Sequence, residues 1–177
     1  MKINSKINLA KTTIVLLVAI MVMSCNNKNK ESAHAISIEL GQTNLEIVKT
    51  LFQFMENKDL EDAINGFTED AVFAQPFNPK GADFAYNGKE EIKNGLIRIF
   101  SIIDTISYTD ESYTKSADGS TVFVETKGEM TLSNGTPYNN SYVFRFDFNN
   151  KGKVTKVTEY MNSLYLAQTF GLIPSNK

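Results

Sequence analysis

Alternating apolar and polar residues over a long C-terminal stretch constrain the fold of this chain most strongly. The clearest case is Tyr142–Phe148, in which every second residue is aromatic. Because successive side chains of a strand point to opposite faces of a sheet, this pattern predicts a strand with one buried face. Similar segments cover 106–114, 120–132, 138–148 and 153–162. The dipeptides Asp118-Gly119, Asn134-Gly135 and Lys151-Gly152 separate them, which predicts an antiparallel meander.

Helical spacing of apolar residues precedes these strands. It predicts a first helix over 43–57, where Thr43 and Glu46 have capping-box spacing, and a short second helix after Asp59. A third apolar stripe runs from Ile92 to Ile103. Helices followed by a meander indicate an α+β domain with the helices on one face of an antiparallel sheet.

Two shorter segments complete the prediction. A β-prone run over 71–75 is closed by Pro76, which cannot donate to a strand ladder. Residues 163–171 carry apolar side chains suited to a short closing helix.

The N-terminus has the layout of a secretory signal. Residues 1–11 are basic and polar, and residues 12–23 are almost wholly apolar. Twelve residues extend about 18 Å as a helix, which is too short to cross a hydrocarbon core of roughly 30 Å. We therefore expect a signal peptide over 1–24 that takes no part in the fold.

The segment Val22-Met23-Ser24-Cys25 resembles the bacterial lipobox, in which the cysteine is lipidated and becomes the new N-terminus. The alternative is an ordinary signal with a chance cysteine. Residues 25–42 then form a lipidated, flexible spacer, in which we expect His34 to be solvated. Asn26 is not the Asp that retains lipoproteins at the inner membrane, so the resemblance favours lipid anchoring at the outer membrane of a bacterial envelope.

Charge and composition exclude several classes of function. The first 24 residues hold three of the 18 basic residues and no acidic residue, so the remainder carries 15 basic and 20 acidic side chains. This mildly acidic body argues against nucleic-acid binding. The sole histidine and sole cysteine lie at or before residue 34. We therefore expect no metal site built on these residues and no His-dependent nucleophile in the domain.

A family resemblance spans about residues 43–172. The local sequences Lys58–Val72, Asn87–Ile92 and Asn150–Tyr160, in this order, resemble the SnoaL-like branch of the NTF2-like superfamily. That family includes ketosteroid isomerases, polyketide cyclases and limonene epoxide hydrolases. The resemblance implies a curved antiparallel sheet wrapped by about three N-terminal helices into a cone with a largely apolar cavity. It also implies a homodimer formed through the outer face of the sheet, and a domain over 43–173.

The resemblance argues against steroid isomerase chemistry. The position of the family's base is occupied by Gln75, and the position of its oxyanion-binding tyrosine by Leu51. Its protonated acid aligns with Tyr142, which can donate a hydrogen bond. A family Tyr-x-Asp motif aligns with Tyr160 and Asn162, so a carboxylate is again replaced by an amide.

Carboxylates that could act as a base are few in this alignment. Glu125 qualifies if it points into the cavity, although we favour the outward orientation. Asp83, in a loop over the cavity mouth, is a second candidate whose alternative is a turn residue. Tyr86 precedes the third helix, where family members often have a pocket aromatic.

The leading hypothesis is a binding module that requires no cofactor. It holds a small, largely apolar molecule through Gln75, Tyr86, Tyr142, Tyr160 and Asn162. The first alternative is a cyclase, hydrolase or isomerase that uses Glu125 or Asp83. The second is a structural dimerisation domain whose cavity is filled by its own side chains.

Overall fold

The computed structural model describes the backbone of residues 5–174 and the side chains of residues 30–174. The helices are α1 (Ser5–Asn57), α2 (Leu60–Asn65), α3 (Lys89–Ile102) and α4 (Ser163–Thr169). The strands are β1 (Phe67–Ala74), β2 (Ala85–Asn87), β3 (Ile103–Lys115), β4 (Thr121–Leu132), β5 (Pro137–Phe148) and β6 (Val154–Met161). The predicted α+β order of elements is confirmed.

The chain divides into two units, residues 1–37 and residues 38–177. The first unit is helical from Ser5, and His34 within it is exposed. The predicted signal peptide and the Cys25 side chain lie outside the residues whose side chains are described. Within the described part of the chain, no helix combines the length and the apolar character needed to cross a bilayer.

The first helix differs from its prediction at its N-terminal end. Thr43 does not cap α1 but lies within it, and its hydroxyl donates to the Glu39 carbonyl oxygen one turn earlier. The segment 26–42, expected to be a flexible spacer, is helical. It contains neither proline nor glycine before Gly41, so its composition permits a helix despite the lack of an apolar stripe.

Six strands form one sheet in the order β2-β1-β6-β5-β4-β3. The predicted meander is confirmed, because β3, β4, β5 and β6 pair successively in antiparallel fashion. Sequence patterns did not reveal that β1 pairs with β6 in parallel. Irregularities in register, including one between Thr109 and Ser112, bend the strands and make the sheet curve around its inner face.

The core lies between the inner face of the sheet and the helices. Alternate residues of β5, the predicted stripe Tyr142, Phe144, Phe146 and Phe148, are buried. Phe52 of α1 packs edge-on against Phe144, with ring centroids 5.4 Å apart. Aromatic burial of this kind contributes both apolar area and favourable ring geometry, and it fixes the C-terminal turns of α1 on the sheet.

Gly128 of β4 leaves room for the buried ring of Tyr142. A Cβ atom at this position would lie 2.7 Å from Cε2 of Tyr142. We expect Gly128→Ala to lower the free energy of unfolding by about 1–3 kcal/mol, because the added methyl overpacks the core. Urea unfolding measures this change. The loss should shrink in a Tyr142→Leu background, and an equal loss in both backgrounds would contradict the assignment.

Candidate functional site

A cavity of about 380 Å³ lies between the inner face of the sheet and the helices. Its walls are mostly apolar, and many of the lining side chains are aromatic: Phe52, Phe67, Phe73, Phe84, Tyr86, Tyr108, Tyr138, Tyr142, Phe144, Phe146 and Phe170. The polar exceptions are Gln75, Asn78, Lys80 and Glu159, together with the tyrosine hydroxyls. The cone is therefore open, and the alternative of a cavity filled by its own side chains does not describe this structure.

Glu159 of β6 is a carboxyl group enclosed in this apolar cavity. Its side chain is only 9% exposed, and its Oε2 atom accepts a 2.6 Å hydrogen bond from Nε2 of Gln75. Burial raises the pKa of Glu159 to about 7, although the hydrogen bond from Gln75 opposes this rise. A carboxyl with this pKa exchanges its proton near neutral pH, so it is the chemically distinctive group of the cavity.

Strand pairing explains why Gln75 and Glu159 meet. In the parallel pair β1 and β6, Ala74 lies beside Thr158. Parallel strands end at the same edge of a sheet, so the next residue along each strand is again a neighbour. Gln75 directly follows β1, and Glu159 is the next residue of β6.

A chain of hydrogen bonds fixes the orientation of the Gln75 amide. The backbone N–H of Lys80 donates to Oδ1 of Asn78 at 2.9 Å. Because a backbone N–H can only donate, the Asn78 oxygen is identified and its Nδ2 must face Oε1 of Gln75, 2.6 Å away. The Gln75 nitrogen therefore points to Glu159. This series of hydrogen bonds ends in an N–H donor that points to the Glu159 carboxyl. Such a donor favours the ionised form of the carboxyl.

Three tyrosines, Tyr108, Tyr138 and Tyr142, line the same cavity as this carboxyl. Burial, with a further contribution from the negative charge of Glu159, raises the pKa of Tyr108 and of Tyr142 well above the ordinary value. Burial also raises the pKa of Tyr138, whose hydroxyl oxygen accepts a hydrogen bond from Asn140 at 2.9 Å. All three phenols are therefore neutral at physiological pH and can donate hydrogen bonds inside the cavity.

Three of the five residues expected to contact a ligand do line the cavity, namely Gln75, Tyr86 and Tyr142. Tyr86 is held there by α3, because its ring lies against Gly95, where an added Cβ would be only 2.9 Å from the ring. Leu51, the residue aligned with the family's oxyanion donor, also lines the cavity and offers no hydrogen bond.

Tyr160 and Asn162 do not line the cavity. Tyr160 points to the outer side of β6, where its ring lies 5.7 Å from that of Phe77. Asn162 follows the strand and is the N-cap of α4, and its Oδ1 accepts a hydrogen bond from the Tyr165 N–H. The expectation that these two residues contact a ligand in the cavity is therefore replaced by roles at the end of the sheet.

The two candidate bases are also outside the cavity. Glu125 is exposed on β4 and lies opposite Val143, another residue of the outer face. Asp83 is exposed in the loop between β1 and β2. Neither carboxylate is desolvated, so neither has the environment that the alternative hypothesis of catalysis required.

Sequence reasoning missed Glu159, although a signal was present. Val157, Glu159 and Met161 share one face of β6, and all three are buried. By strand alternation, Tyr160 and Asn162 belong to the opposite face of the strand from Glu159. The alignment with the Tyr-x-Asp motif placed Tyr160 and Asn162 in the cavity, which implied that Glu159 pointed outward. Strand parity, anchored on the apolar neighbours Val157 and Met161, would have identified the buried carboxyl.

Metal binding receives no support from the side chains that the structure describes. Within that part of the chain, no three His, Cys, Asp or Glu side chains are grouped so that they could hold a metal ion.

Comparisons with known proteins agree with the fold. A family model described as the SnoaL-like domain matches residues 48–157. The uncharacterized protein YesE of Bacillus subtilis is 27% identical over 127 residues, which are 71% of this chain and 86% of YesE. A crystal structure of a protein provisionally called an isomerase, also from Bacillus subtilis, is 26% identical with a TM-score of 0.67. It covers 73% of this chain and 94% of its own.

An NTF2-like protein from Burkholderia xenovorans has the same fold. Its crystal structure is 23% identical, has a TM-score of 0.60 and covers 72% of this chain and 95% of its own.

The raised pKa of Glu159 makes the stability of the fold depend on pH. The folded protein favours the protonated carboxyl, so this contribution is complete below about pH 4.5 and is lost as the pH rises through about 7. Between these pH values the wild type should lose about 3 kcal/mol of its free energy of unfolding, because each tenfold change in the protonation constant corresponds to about 1.4 kcal/mol. Glu159→Gln should not show this loss, because its side chain does not titrate.

Thermal and urea unfolding of the wild type and Glu159→Gln between these pH values measure the difference. Glu125→Gln is the matched control, because the same change on an exposed side chain should leave the pH profile unaltered. Parallel profiles for wild type and Glu159→Gln would contradict the buried, protonatable state of Glu159.

Proposed function

Because the chain belongs to the SnoaL-like domain family and has the NTF2-like fold, we propose that it binds a small, largely apolar molecule in its cavity. The Glu159 carboxyl is the principal polar contact, and Gln75 and Tyr142 assist it. The binding function is the one expected from the sequence. Glu159 is added to the residues that contact the ligand, and Tyr160 and Asn162 are removed from them.

One observation carries the proposal: an aromatic cavity of about 380 Å³ encloses one buried carboxyl among the lining residues that the structure describes. Sites for small molecules are commonly clefts of about 300–1,000 Å³ with apolar walls and a few convergent polar groups. Apolar walls supply affinity by removing ligand surface from water, and the carboxyl with its hydrogen-bonded partner fixes the orientation of the ligand.

Proton transfer is a second candidate, and Glu159 is the observation that favours it. A carboxyl with a pKa of about 7 is suited to act as a base or an acid at neutral pH. Gln75 and Leu51 at the family's base and oxyanion-donor positions speak against steroid isomerase chemistry, but Glu159 supplies a carboxyl beside the Gln75 amide. In such a reaction Glu159 removes a proton from a carbon next to a carbonyl group, while a tyrosine hydroxyl donates to the carbonyl oxygen.

Anchoring to a membrane is part of the proposal. Cys25, at the end of the lipobox-like segment, carries the lipid, and the domain is held at the bacterial envelope with the outer membrane favoured by Asn26. Several acyl chains give stable anchoring where a single chain does not.

Homodimer formation also remains a proposal. The outer face of the sheet exposes Phe123, Val143 and Tyr160, which are 39%, 41% and 36% exposed. Exposed apolar residues grouped on one sheet face favour self-association.

Retention of a ligand tests the binding function. We expect native mass spectrometry of the purified chain to reveal a bound small molecule, and the same spectra report whether the chain is a dimer. Leu96→Trp should abolish retention, because Leu96 lines the cavity. Ile97→Trp is the matched control, since the neighbouring side chain is exposed. Retention by both variants, or by neither, would contradict binding in the cavity.

The recovered ligand separates the two candidates. The ligand is incubated with the protein in heavy water and its mass is then measured. A ligand that is only bound should contain no deuterium on carbon. Deuterium incorporation that depends on Glu159 would instead support proton transfer.

Lipid anchoring is tested by Cys25→Ser. We expect this variant to leave the membrane fraction, because it lacks the thiol that accepts the lipid. The wild-type chain should remain in that fraction after a high-salt wash, which removes proteins held by charge alone. A Cys25→Ser variant that stays with the membrane would contradict the proposal.

A further inference from the structure

The cavity contains a carboxyl group with no cation beside it. Of the lining side chains that the structure describes, only Lys80 and Glu159 carry an ionisable charge other than that of a phenol. Lys80 is exposed, and its ammonium group lies over the ring of Phe84, 5.3 Å from the centroid. None of the ion pairs among the described side chains involves Lys80 or Glu159. The carboxylate therefore lacks a counter-ion within the described part of the domain.

Only one of the two carboxyl oxygens has a partner among the described hydrogen bonds. Oε2 accepts from Nε2 of Gln75 at 2.6 Å, whereas Oε1 accepts no hydrogen bond from the side chains that the structure describes. A buried carboxylate is unfavourable unless it is paired and hydrogen-bonded. The fixed donor from Gln75 supplies part of this stabilisation, and a cationic hydrogen-bond donor on the ligand would supply the rest.

Aromatic rings line the cavity into which Glu159 points. Tyr142 and Phe144 lie 5.4 Å apart, and Tyr108 lies 6.5 Å from Tyr142 and 6.4 Å from Phe144. Phe144 of β5 is paired with Glu159 of β6 across the sheet, and both are buried, so its ring is the cross-strand neighbour of the carboxyl. Tyr108 and Tyr142 line the same cavity. Ring faces attract ammonium groups, and the attraction is stronger where water is excluded.

We infer that the ligand is a compact apolar molecule bearing one protonated amine, which pairs with the Glu159 carboxylate among the rings of Tyr108, Tyr142 and Phe144. This inference rests on the proposed binding function and specifies the chemical class of its ligand. An anionic ligand is disfavoured by repulsion from Glu159. A neutral ligand would gain no ion pair with the carboxylate.

The pH dependence of binding follows from the groups that face Glu159. Tyr108 of β3 and Tyr138 and Tyr142 of β5 remain neutral, because burial raises the pKa of each phenol. Tyr86 of β2 and Lys80 of the loop between β1 and β2 complete the titratable lining groups, and helices α1 to α4 contribute apolar lining side chains. Glu159 is thus the group that changes charge between about pH 6 and about pH 8.

The experiment compares matched probes that differ only in the polar group. Adamantylmethylamine, adamantylmethanol and adamantanecarboxylate form one set, and phenylbutylamine, phenylbutanol and phenylbutanoate form another. Calorimetric titration of the full-length chain should give an amine affinity that rises about tenfold from about pH 6 to about pH 8. About one-tenth of Glu159 is ionised at the lower pH, and an aliphatic amine with a pKa of about 10 stays charged throughout.

Variants distinguish the ion pair between the amine and Glu159 from nonspecific binding. Glu159→Gln should remove both the preference for the amine and the rise with pH, whereas the exposed Glu125→Gln should preserve both. If Glu159→Gln does not fold, Gln75→Leu provides the test. Loss of its donor raises the pKa of Glu159 further, so the rise in amine affinity should move to higher pH.

The outcomes distinguish the ligand class from the binding function. Tighter binding of the amines, with the expected rise in affinity, supports the inference. Equal or tighter binding of the alcohols or carboxylates overturns it and leaves cavity binding intact. Affinity of the alcohols that falls with rising pH would show that protonated Glu159 acts as a donor to neutral ligands. Failure of every probe to bind would overturn the inference and count against the binding function as well.

Discussion

The parallel pairing of β1 with β6 is the constraint on which the site depends. It places Ala74 beside Thr158, so Gln75 and Glu159, the next residues along the two strands, meet at one edge of the sheet. Were the strands antiparallel, the end of β1 would lie beside the start of β6, far from Glu159 along the strand. The fold thereby encloses a carboxyl group in an aromatic cavity and provides it with one oriented hydrogen-bond donor.

Burial of the Glu159 carboxyl destabilises its charged form in the fold, but it also gives the cavity a group that can change its charge near neutral pH. Burial disfavours its charge, and Gln75 compensates only in part, so the pKa of Glu159 rises to about 7. The group can then be neutral in the empty cavity and ionised when a cation enters it. The same property would suit a base in proton transfer, so the fold alone does not decide between ligand binding and catalysis.

Much of the fold could be predicted from the sequence, because alternation in the strands and the glycine turns are local signals. The alternation in Tyr142–Phe148 correctly indicated which face of the strand is buried. Gly119, Gly135 and Gly152 adopt the positive φ values that their turns require. Two features could not be read in this way. The parallel β1–β6 pair joins residues more than eighty positions apart, and Glu159 acquires its importance from that pairing. Alignment to a family motif also favoured Tyr160 and Asn162 over the residue with the correct strand parity.

The ionisation of Glu159 is the central claim, and a carbon-13 NMR titration of its side-chain carboxyl tests it most directly. Selective labelling of glutamate, with Glu159→Gln used to assign the signal, gives the midpoint without reference to stability or ligand. We expect a midpoint near pH 7, which moves downward when an apolar amine occupies the cavity. A midpoint near the ordinary glutamate value of about 4.3 would contradict the account, because it would show a carboxyl that remains solvated.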